Sequence, residues 1–309
     1  MIGTELHQLL KNLPNKLIAT VHKDPDFDAI GSLLALGSLI QSLNKEITLF
    51  SPDINLKQFD FLPGIKTITS TTELTYDVAF FLDCSDQNRI FNPKRFPKAE
   101  TIVNIDHHQD NTFFGKINVV QNISSVGEMM FNIYNELNIE ITTDIASNLY
   151  AAIAFDTGNF KFSNTTPETF MVASKLLKKE INAAKISELI FERKSKEFFA
   201  DIKQGLNNMY IDKQYPFIIV HIPFHEQLSN ESTINFFRQL ENIELVIVCK
   251  EVKESEYRIS FRSKQFIDVS KLAKNFNGGG HIKASGATVS SSFNELNEQL
   301  LKETHKAFQ

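Results

Sequence analysis

Four segments in the first half of the chain join an apolar run to ionisable residues. Leu17–Val21 leads into His22-Lys23-Asp24-Pro25-Asp26-Phe27-Asp28, and Phe80–Leu82 leads into Asp83. Ile102–Ile105 leads into Asp106-His107-His108, and Ala151–Phe155 into Asp156. Between such runs lie Ala29–Leu43 and Val126–Leu137, whose apolar residues recur at helical spacing. Short apolar runs separated by helices predict a parallel sheet with helices on its faces. The candidate strands are Leu17–Val21, Ile47–Phe50, Val78–Leu82 and Thr101–Ile105. Strands of a parallel sheet end at one edge, where open α/β sheets bind ligands. The acids and imidazoles of all four segments, Asp156 included, are therefore expected to meet there as strand-end residues.

A single acid after a strand is commonly a turn former or a helix-start residue that favours the helix dipole. Three acids and His22 within seven residues fit that reading poorly, because crowded carboxylates repel unless cations neutralise them. Carboxylates outnumber imidazoles and no thiolate takes part, which suits Mn²⁺ or Mg²⁺ better than structural zinc. Six ligand residues exceed what one such ion takes from protein while keeping positions open. Two ions about 3.5–4 Å apart, sharing a carboxylate, use them better, and a site of that kind hydrolyses phosphate esters.

The chain has 309 residues, enough for two domains, with an ordinary 42% hydrophobic and 22% charged content. No apolar run approaches the roughly 18 residues that span a membrane. Met1–Leu13 lacks a basic stretch followed by an apolar core, so no secretory signal is expected. Cys84 and Cys249 end apolar runs, share no metal-ligand spacing and read as reduced buried thiols; a cytoplasmic protein is expected. The net charge of −5 argues against a bulk nucleic-acid coat binder. Locally, however, Tyr257–Phe293 carries Arg258, Arg262, Lys264, Lys271, Lys274 and Lys283 against only Asp268. An acidic metal site plus a separate basic segment suits a small anionic substrate.

Ser125 and Glu128 have capping-box spacing for the helix after them, and Thr166 precedes a Pro167 helix start. The pattern from Ala183 to Met209 is helical and strongly charged, and reads as a connector. Beyond it, Phe217–Ile222 is strand-like, and Leu245–Cys249 and Tyr257–Phe261 suggest a hairpin through Lys253-Glu254-Ser255. Asp268 is placed to cap a short helix reaching Phe276, Gly278-Gly279-Gly280-His281 follows, and a last helix starts near Asn294.

The order His-x-x-x-Asp-x-Asp, a strand-end Asp, Asp-His-His and a later Asp resembles the DHH phosphoesterase family. Ser260-Phe261-Arg262-Ser263 followed by Gly278-Gly279-Gly280-His281 resembles its associated C-terminal substrate-binding domain, so the resemblance covers nearly the whole chain. It implies an α/β protein with a parallel-sheet DHH domain at 1–185, a helical connector at 186–209 and a smaller mixed α/β domain at 210–309. The active site would lie in the cleft between the domains. His22 and Asp26 would hold one Mn²⁺, Asp28, His107 and Asp156 the other, and Asp83 would bridge them, with Mg²⁺ or Co²⁺ as substitutes. Asp106 would orient an imidazole from behind, and His108 would face the substrate phosphate and stabilise or protonate it. Arg262 would clamp phosphate or base; Gly278, Gly279 and Gly280 would let backbone N–H groups approach the substrate, with His281 alongside.

Length and domain content are most similar to bifunctional oligoribonucleases that also act as phosphatases on adenosine 3′,5′-bisphosphate. The implied partners are short RNA oligonucleotides and nucleotides, with no membrane and no long duplex nucleic acid, and the implied assembly is a homodimer. Two positions depart from the family. Phe27 stands where glycine is common, and Asp24 where an uncharged residue is common, so Asp24 is left out of the ligand set. The rival readings are hydrolysis of a linear or cyclic dinucleotide or of pyrophosphate, and a non-catalytic nucleotide-binding regulator. Intact ligand positions speak against the last.

Overall fold

Leu17–Val21 is buried at all five positions because it runs through the middle of a six-stranded parallel sheet. The computed structural model describes residues 3–52, 54–90, 96–229 and 232–309, in two units, Met1–Arg193 and Lys194–Gln309. The division falls inside the charged stretch read as a connector. Among the described residues no helix is long and apolar enough to cross a membrane.

In chain order the first unit contains α1 (Thr4–Lys11), β1 (Leu17–Val21), α2 (Phe27–Ser42), β2 (Thr48–Phe50), β3 (Ile68–Thr69) and β4 (Thr75–Leu82). There follow β5 (Lys98–Asp106), β6 (Ile117–Val120), α3 (Val126–Glu136), α4 (Thr143–Asp156), α5 (Pro167–Leu177) and α6 (Ala183–Phe191). The strand order is β3-β2-β1-β4-β5-β6, every pairing parallel. The chain direction across the sheet reverses between β1 and β4, which makes their carboxyl ends the crevice that such sheets use for ligands.

Side-chain alternation assigns the two faces. Ala19, Val21, Val78, Phe80, Leu82, Val103 and Ile105 share one core cluster with residues of α1 to α6. Ile18, Ala79, Phe81 and Cys84 point the other way, into a smaller cluster with Phe50, Phe96 and Phe114. The helices described thus share one core, while the opposite face is covered by aromatics outside the helices. Within the helical layer the backbones come close. A Cβ at Gly31 would lie 2.5 Å from the Asn148 carbonyl oxygen, and one at Gly127 2.5 Å from the Ala152 Cβ.

This packing corrects the expectation for Ala151–Phe155, which is the end of helix α4 and not a strand. Thr142 accepts a hydrogen bond from the Ile145 N–H to start that helix. Ala151, Ala152 and Ala154 favour helix, and Ala152 is small enough to meet glycine on two neighbouring helices. Asp156 therefore reaches the sheet edge from a helix C-terminus.

The second unit contains α7 (Lys196–Asn207), β7 (Met209–Ile211), β8 (Phe217–Ile222), α8 (Ile234–Phe237), β9 (Leu245–Lys253) and β10 (Glu256–Ser263). It ends with α9 (Val269–Lys274), β11 (Gly279–His281), β12 (Ala284–Ser290) and α10 (Phe293–Ala307). Its sheet has the order β11-β12-β10-β9-β8-β7 and is mixed, with only β8 and β9 parallel. Phe217, Ile219, Leu245, Ile247, Ile259 and Phe261 pack under α9 and α10. Ile218, Val220, Val246 and Val248 pack with Phe198 and Ile202 of α7 and Ile234 and Phe237 of α8. Both faces are covered, which is why β8 and the start of β9 read as continuous apolar runs. The β9–β10 hairpin forms as expected, with Ser255 in the left-handed region at φ 58°. Cys84 and Cys249 are buried and free.

Candidate metal centre

The turn after β1 shows that the helix-start reading and the ligand reading use different atoms of one residue. Asp26 is the N-cap of α2, and its Oδ1 accepts hydrogen bonds from the Asp28 and Ala29 N–H groups, both at 3.0 Å. Its other oxygen, Oδ2, lies 3.9 Å from His22 Nε2. Asp28, in the first turn of α2, is fully buried; its Oδ2 accepts from Val126 N–H and its Oδ1 from Gly127 N–H, each at 2.8 Å. The N-terminus of α3 thus holds a carboxylate from a distant part of the chain, as helix starts favour anions. Phe27 packs against Phe59, Phe61 and Phe155 with ring centroids 4.8 to 5.6 Å apart, so the bulky residue between the two acids points into the core. Asp24 adopts φ 52° and serves the turn.

Asp83 stands at the centre. It follows β4 in the left-handed region at φ 55°, a conformation that costs a non-glycine residue of order 1–3 kcal/mol and concentrates at functional sites. Its Oδ2 is 3.4 Å from His22 Nε2; its Oδ1 is 3.5 Å from His107 Nε2 and 3.4 Å from His108 Nδ1. Oδ1 is nevertheless buried without a well-aligned hydrogen bond, which in a low-dielectric site is costly unless a cation faces it. His107 Nε2 also lies 3.1 Å from Asp156 Oδ2 and 3.9 Å from Asp28 Oδ2.

The backs of the imidazoles show how they are oriented. His22 Nδ1 lies 2.8 Å from the Lys23 carbonyl oxygen, and His107 Nδ1 lies 3.2 Å from that of Ile123. Donation from Nδ1 to a carbonyl turns the Nε2 lone pair of a neutral ring toward the acids, the arrangement found behind metal-bound histidines. His108 differs. Its Nδ1 faces Asp106 Oδ1 at 2.7 Å, and Asn111 donates to Asp106 Oδ2 at 2.6 Å. His108 is thus backed by a buried carboxylate that is itself held in place.

Without a cation, these groups share protons. Burial alone would lower the pKa of His22, but the Asp83 contact and the charges of Asp26 and Asp83 outweigh it and push it up to about 9. Burial likewise opposes the rise at His107, and Asp156 and Asp83 carry it well above the usual imidazole range. Burial and the Asp83 charge push Asp26 up to about 6. Burial, with Asp156 and Asp83 nearby, raises Asp28 well above its ordinary value. Burial would raise Asp83 too, yet the imidazoles of His107 and His22 hold it well below the usual carboxylate range. The acids raise the imidazoles, and a divalent cation placed among these acids would neutralise them in the same sense.

Three overlapping sets of side chains offer ligand atoms within 4.8 Å of one another: His22, Asp26 and Asp83; Asp28, His107 and Asp156; and Asp83, His107 and His108. The donor set is oxygen-rich with two outward Nε2 atoms and no thiolate, and it fits hard or borderline divalent cations. The structure therefore brings together His22, Asp26, Asp28, Asp83, Asp106, His107, His108 and Asp156.

Arg262, Gly278, Gly279, Gly280 and His281 belong to the second unit. Ala284 pairs with Arg262 on one side and with His281 on the other, so the two motifs share a row of the sheet. Gly278 and Gly280 answer to the sheet itself: a Cβ would lie 2.2 Å from the Gly286 oxygen and 2.6 Å from the Ala284 oxygen. Only Gly279 has open space beside it, and the His281 side chain lies outside the described residues. The Arg262 guanidinium donates to its neighbour's carbonyl, Phe261 O, and burial with Arg238 close by lowers its pKa. Lys264 and Lys283 are struts, donating to the carbonyls of Leu240 and Gln265.

Sequence reasoning missed Asn111, the anion-holding α3 N-terminus, and Asn104, whose side chain donates to the Cys84 carbonyl and accepts from Asn111. The Ser125/Glu128 spacing marks the helix start, and the Ser125 hydroxyl does accept from the Glu128 N–H. The Glu128 carboxylate, however, takes hydrogen bonds from Ser124 and Thr169 instead of closing a box.

Residues 16–153 match the DHH family N-terminal domain and residues 220–309 the DHHA1 domain. The chain is 28% identical over 287 residues to a bifunctional oligoribonuclease and PAP phosphatase NrnA of Thermus thermophilus, covering 91% of this chain and 86% of that one. It is 27% identical to the protein of the same name from Bacillus subtilis, over 93% of each. An exopolyphosphatase-related protein from Bacteroides fragilis shares the fold with a TM-score of 0.88 at 24% identity, over 99% of this chain and 97% of that one. The acid and imidazole cluster lies in and beside the first matched region, and the chain is a member of the DHH family, with a DHH N-terminal domain followed by a DHHA1 domain.

Proposed function

We propose that this DHH-family enzyme is a phosphoesterase that uses two divalent cations to hydrolyse short oligoribonucleotides to mononucleotides, and that it also removes the 3′-phosphate of adenosine 3′,5′-bisphosphate. The observation that carries the reading is the placement of Asp83 between two outward-turned imidazoles, at 3.4 and 3.5 Å, each with its own carboxylates. His22 and Asp26 would hold one cation, Asp28, His107 and Asp156 the other, and Asp83 both. The oxygen-rich donor set favours Mn²⁺, with Mg²⁺ or Co²⁺ as substitutes. When bound, the cations supply a nucleophilic water at neutral pH and offset the charge that builds on the phosphoryl group.

The chain's own residues do the rest. The carbonyls of Lys23 and Ile123 fix the rings of His22 and His107. Asp106, anchored by Asn111, fixes His108, which gives a proton to the leaving oxygen as the water oxygen joins phosphorus. Arg262 grips the substrate by charge-assisted hydrogen bonds. Support for the substrate class comes from the relatives named as bifunctional oligoribonucleases and PAP phosphatases, which align over most of the chain.

The test is a panel with Mn²⁺: a dinucleotide, a five-residue RNA, a long RNA, adenosine 3′,5′-bisphosphate, cyclic di-AMP and pyrophosphate. Fastest turnover is expected on the dinucleotide and the five-residue RNA; turnover of pyrophosphate alone would refute the reading. Arg262→Ala should raise KM for the five-residue RNA about tenfold with kcat within about twofold. An unchanged KM removes Arg262 from substrate binding.

A further inference from the structure

The segment after Asp83 carries a cation that the chemistry above does not use. Arg89 ends a short 3-10 turn (Gln87–Arg89) and is exposed, but its guanidinium is aimed. Its Nη1 donates to the hydroxyl of the buried Ser85 at 3.0 Å. Ser85 in turn is fixed by its carbonyl, which accepts from the Thr112 N–H at 2.8 Å and the Thr112 hydroxyl at 3.1 Å. The Arg89 carbonyl accepts from the Lys23 N–H at 2.7 Å, so the turn is tied to the residue that follows His22. Three anchors therefore hold this guanidinium on the lip of the acid cluster, beside the ends of β1 and β4. Among the described residues no carboxylate pairs with Arg89 and none accepts from its Nε or Nη2.

A surface arginine that served only its own loop would more commonly find one of the nearby acids. Here five aspartates lie in the cluster itself and Asp86 begins the same turn, yet none is its partner. With fixed geometry and two donors to spare, the fork suits a phosphate oxygen pair. We infer that Arg89 forms an anion subsite at the lip of the metal centre and takes a terminal phosphate of the substrate adjacent to the phosphate ester that is hydrolysed. The inference rests on the phosphoesterase reading and narrows it to substrates that carry a second phosphate, such as end-phosphorylated dinucleotides and nucleoside bisphosphates.

The probes are adenosine dinucleotides with an uncleavable methylphosphonate link, bearing a 5′-phosphate, a 3′-phosphate or neither. Their binding to the Mn²⁺-loaded protein is measured by calorimetry for wild type, Arg89→Gln and Arg89→Lys. One phosphorylated probe should bind wild type at least about tenfold more tightly than the unphosphorylated one. That ratio should fall to within about twofold in Arg89→Gln and recover in part in Arg89→Lys, with Mn²⁺ affinity unchanged. A wild-type ratio near one, or the same ratio in wild type and Arg89→Gln, overturns the subsite. So does an equal loss of all three probes together with Mn²⁺, which would mark Arg89 as a loop tether. Cleavage by wild type of the same three dinucleotides with a natural phosphodiester link is scored separately. Cleavage without the phosphate-dependent ratio sinks the subsite alone, and absence of cleavage sinks the parent reading.

Discussion

Asp83→Asn is expected to lower turnover of short RNA by at least about a thousandfold while the protein stays folded. Asn matches Asp in shape and tolerates the left-handed region better than most residues, so the φ 55° backbone at this position is kept. The hydrogen bond from the Asp83 N–H to the Ile105 carbonyl at 3.0 Å is also kept. What disappears is the negative charge between the two imidazoles, on the one carboxylate that, among the described residues, lies within 3.5 Å of both Nε2 atoms. The check is kcat/KM with saturating Mn²⁺ beside a thermal melt. Activity within about tenfold of wild type, in a folded variant, would remove Asp83 from the centre.

Affinity for Mn²⁺ is expected to rise roughly a hundredfold between pH 6.5 and 8.5. In the metal-free protein His22 titrates at about 9, so it is an imidazolium across this range, and a cation must displace its proton. Each displaced proton costs a factor of about ten in apparent affinity per pH unit below the group's pKa. His107, raised by Asp156 and Asp83, gives the second cation a pH dependence of the same sign. Asp26, at about 6, steepens the dependence only at more acidic pH. The sign for stability runs the opposite way. A histidine whose pKa is raised on folding stabilises the metal-free protein fully below about 6.5, and that contribution is lost as pH rises through about 9. The melting shift produced by Mn²⁺ should therefore grow with pH. Titration of Mn²⁺ in buffers of different ionisation enthalpy counts the protons released; pH-independent affinity with no proton release would contradict the mutual neutralisation described for these groups.

The parts of the site that were legible in the sequence are those that depend on local pattern. Leu17–Val21 and Phe217–Ile222 are strands with the limits expected, because a strand buried on both faces must be an unbroken apolar run. His22, Asp83 and Asp106 follow such runs directly, so topology alone carries them to one edge. Asp156 was expected from a strand because a short apolar run of small residues does not distinguish strand from buried helix; the Thr142 cap, nine residues before Ala151, decides it.

Contacts between distant segments left no local mark. Asp28 meets Val126 and Gly127 across 98 and 99 residues, and Asn111 reaches Asp106 through a loop with no periodicity. The basic segment was legible as charge but not as chemistry. Lys264 and Lys283 satisfy carbonyls, and the cation beside the cluster, Arg89, lies in a stretch of mixed charge that composition does not single out.

The proposed centre of two cations joined through Asp83 is tested most directly by activity against metal content. Metal-free protein is titrated with Mn²⁺ while hydrolysis of a dinucleotide is followed. Activity should be absent at the start, stay low through the first equivalent, reach its plateau at two equivalents per chain and fail to appear in Asp83→Asn. Full activity at one equivalent, or without any divalent cation, would contradict a two-cation centre.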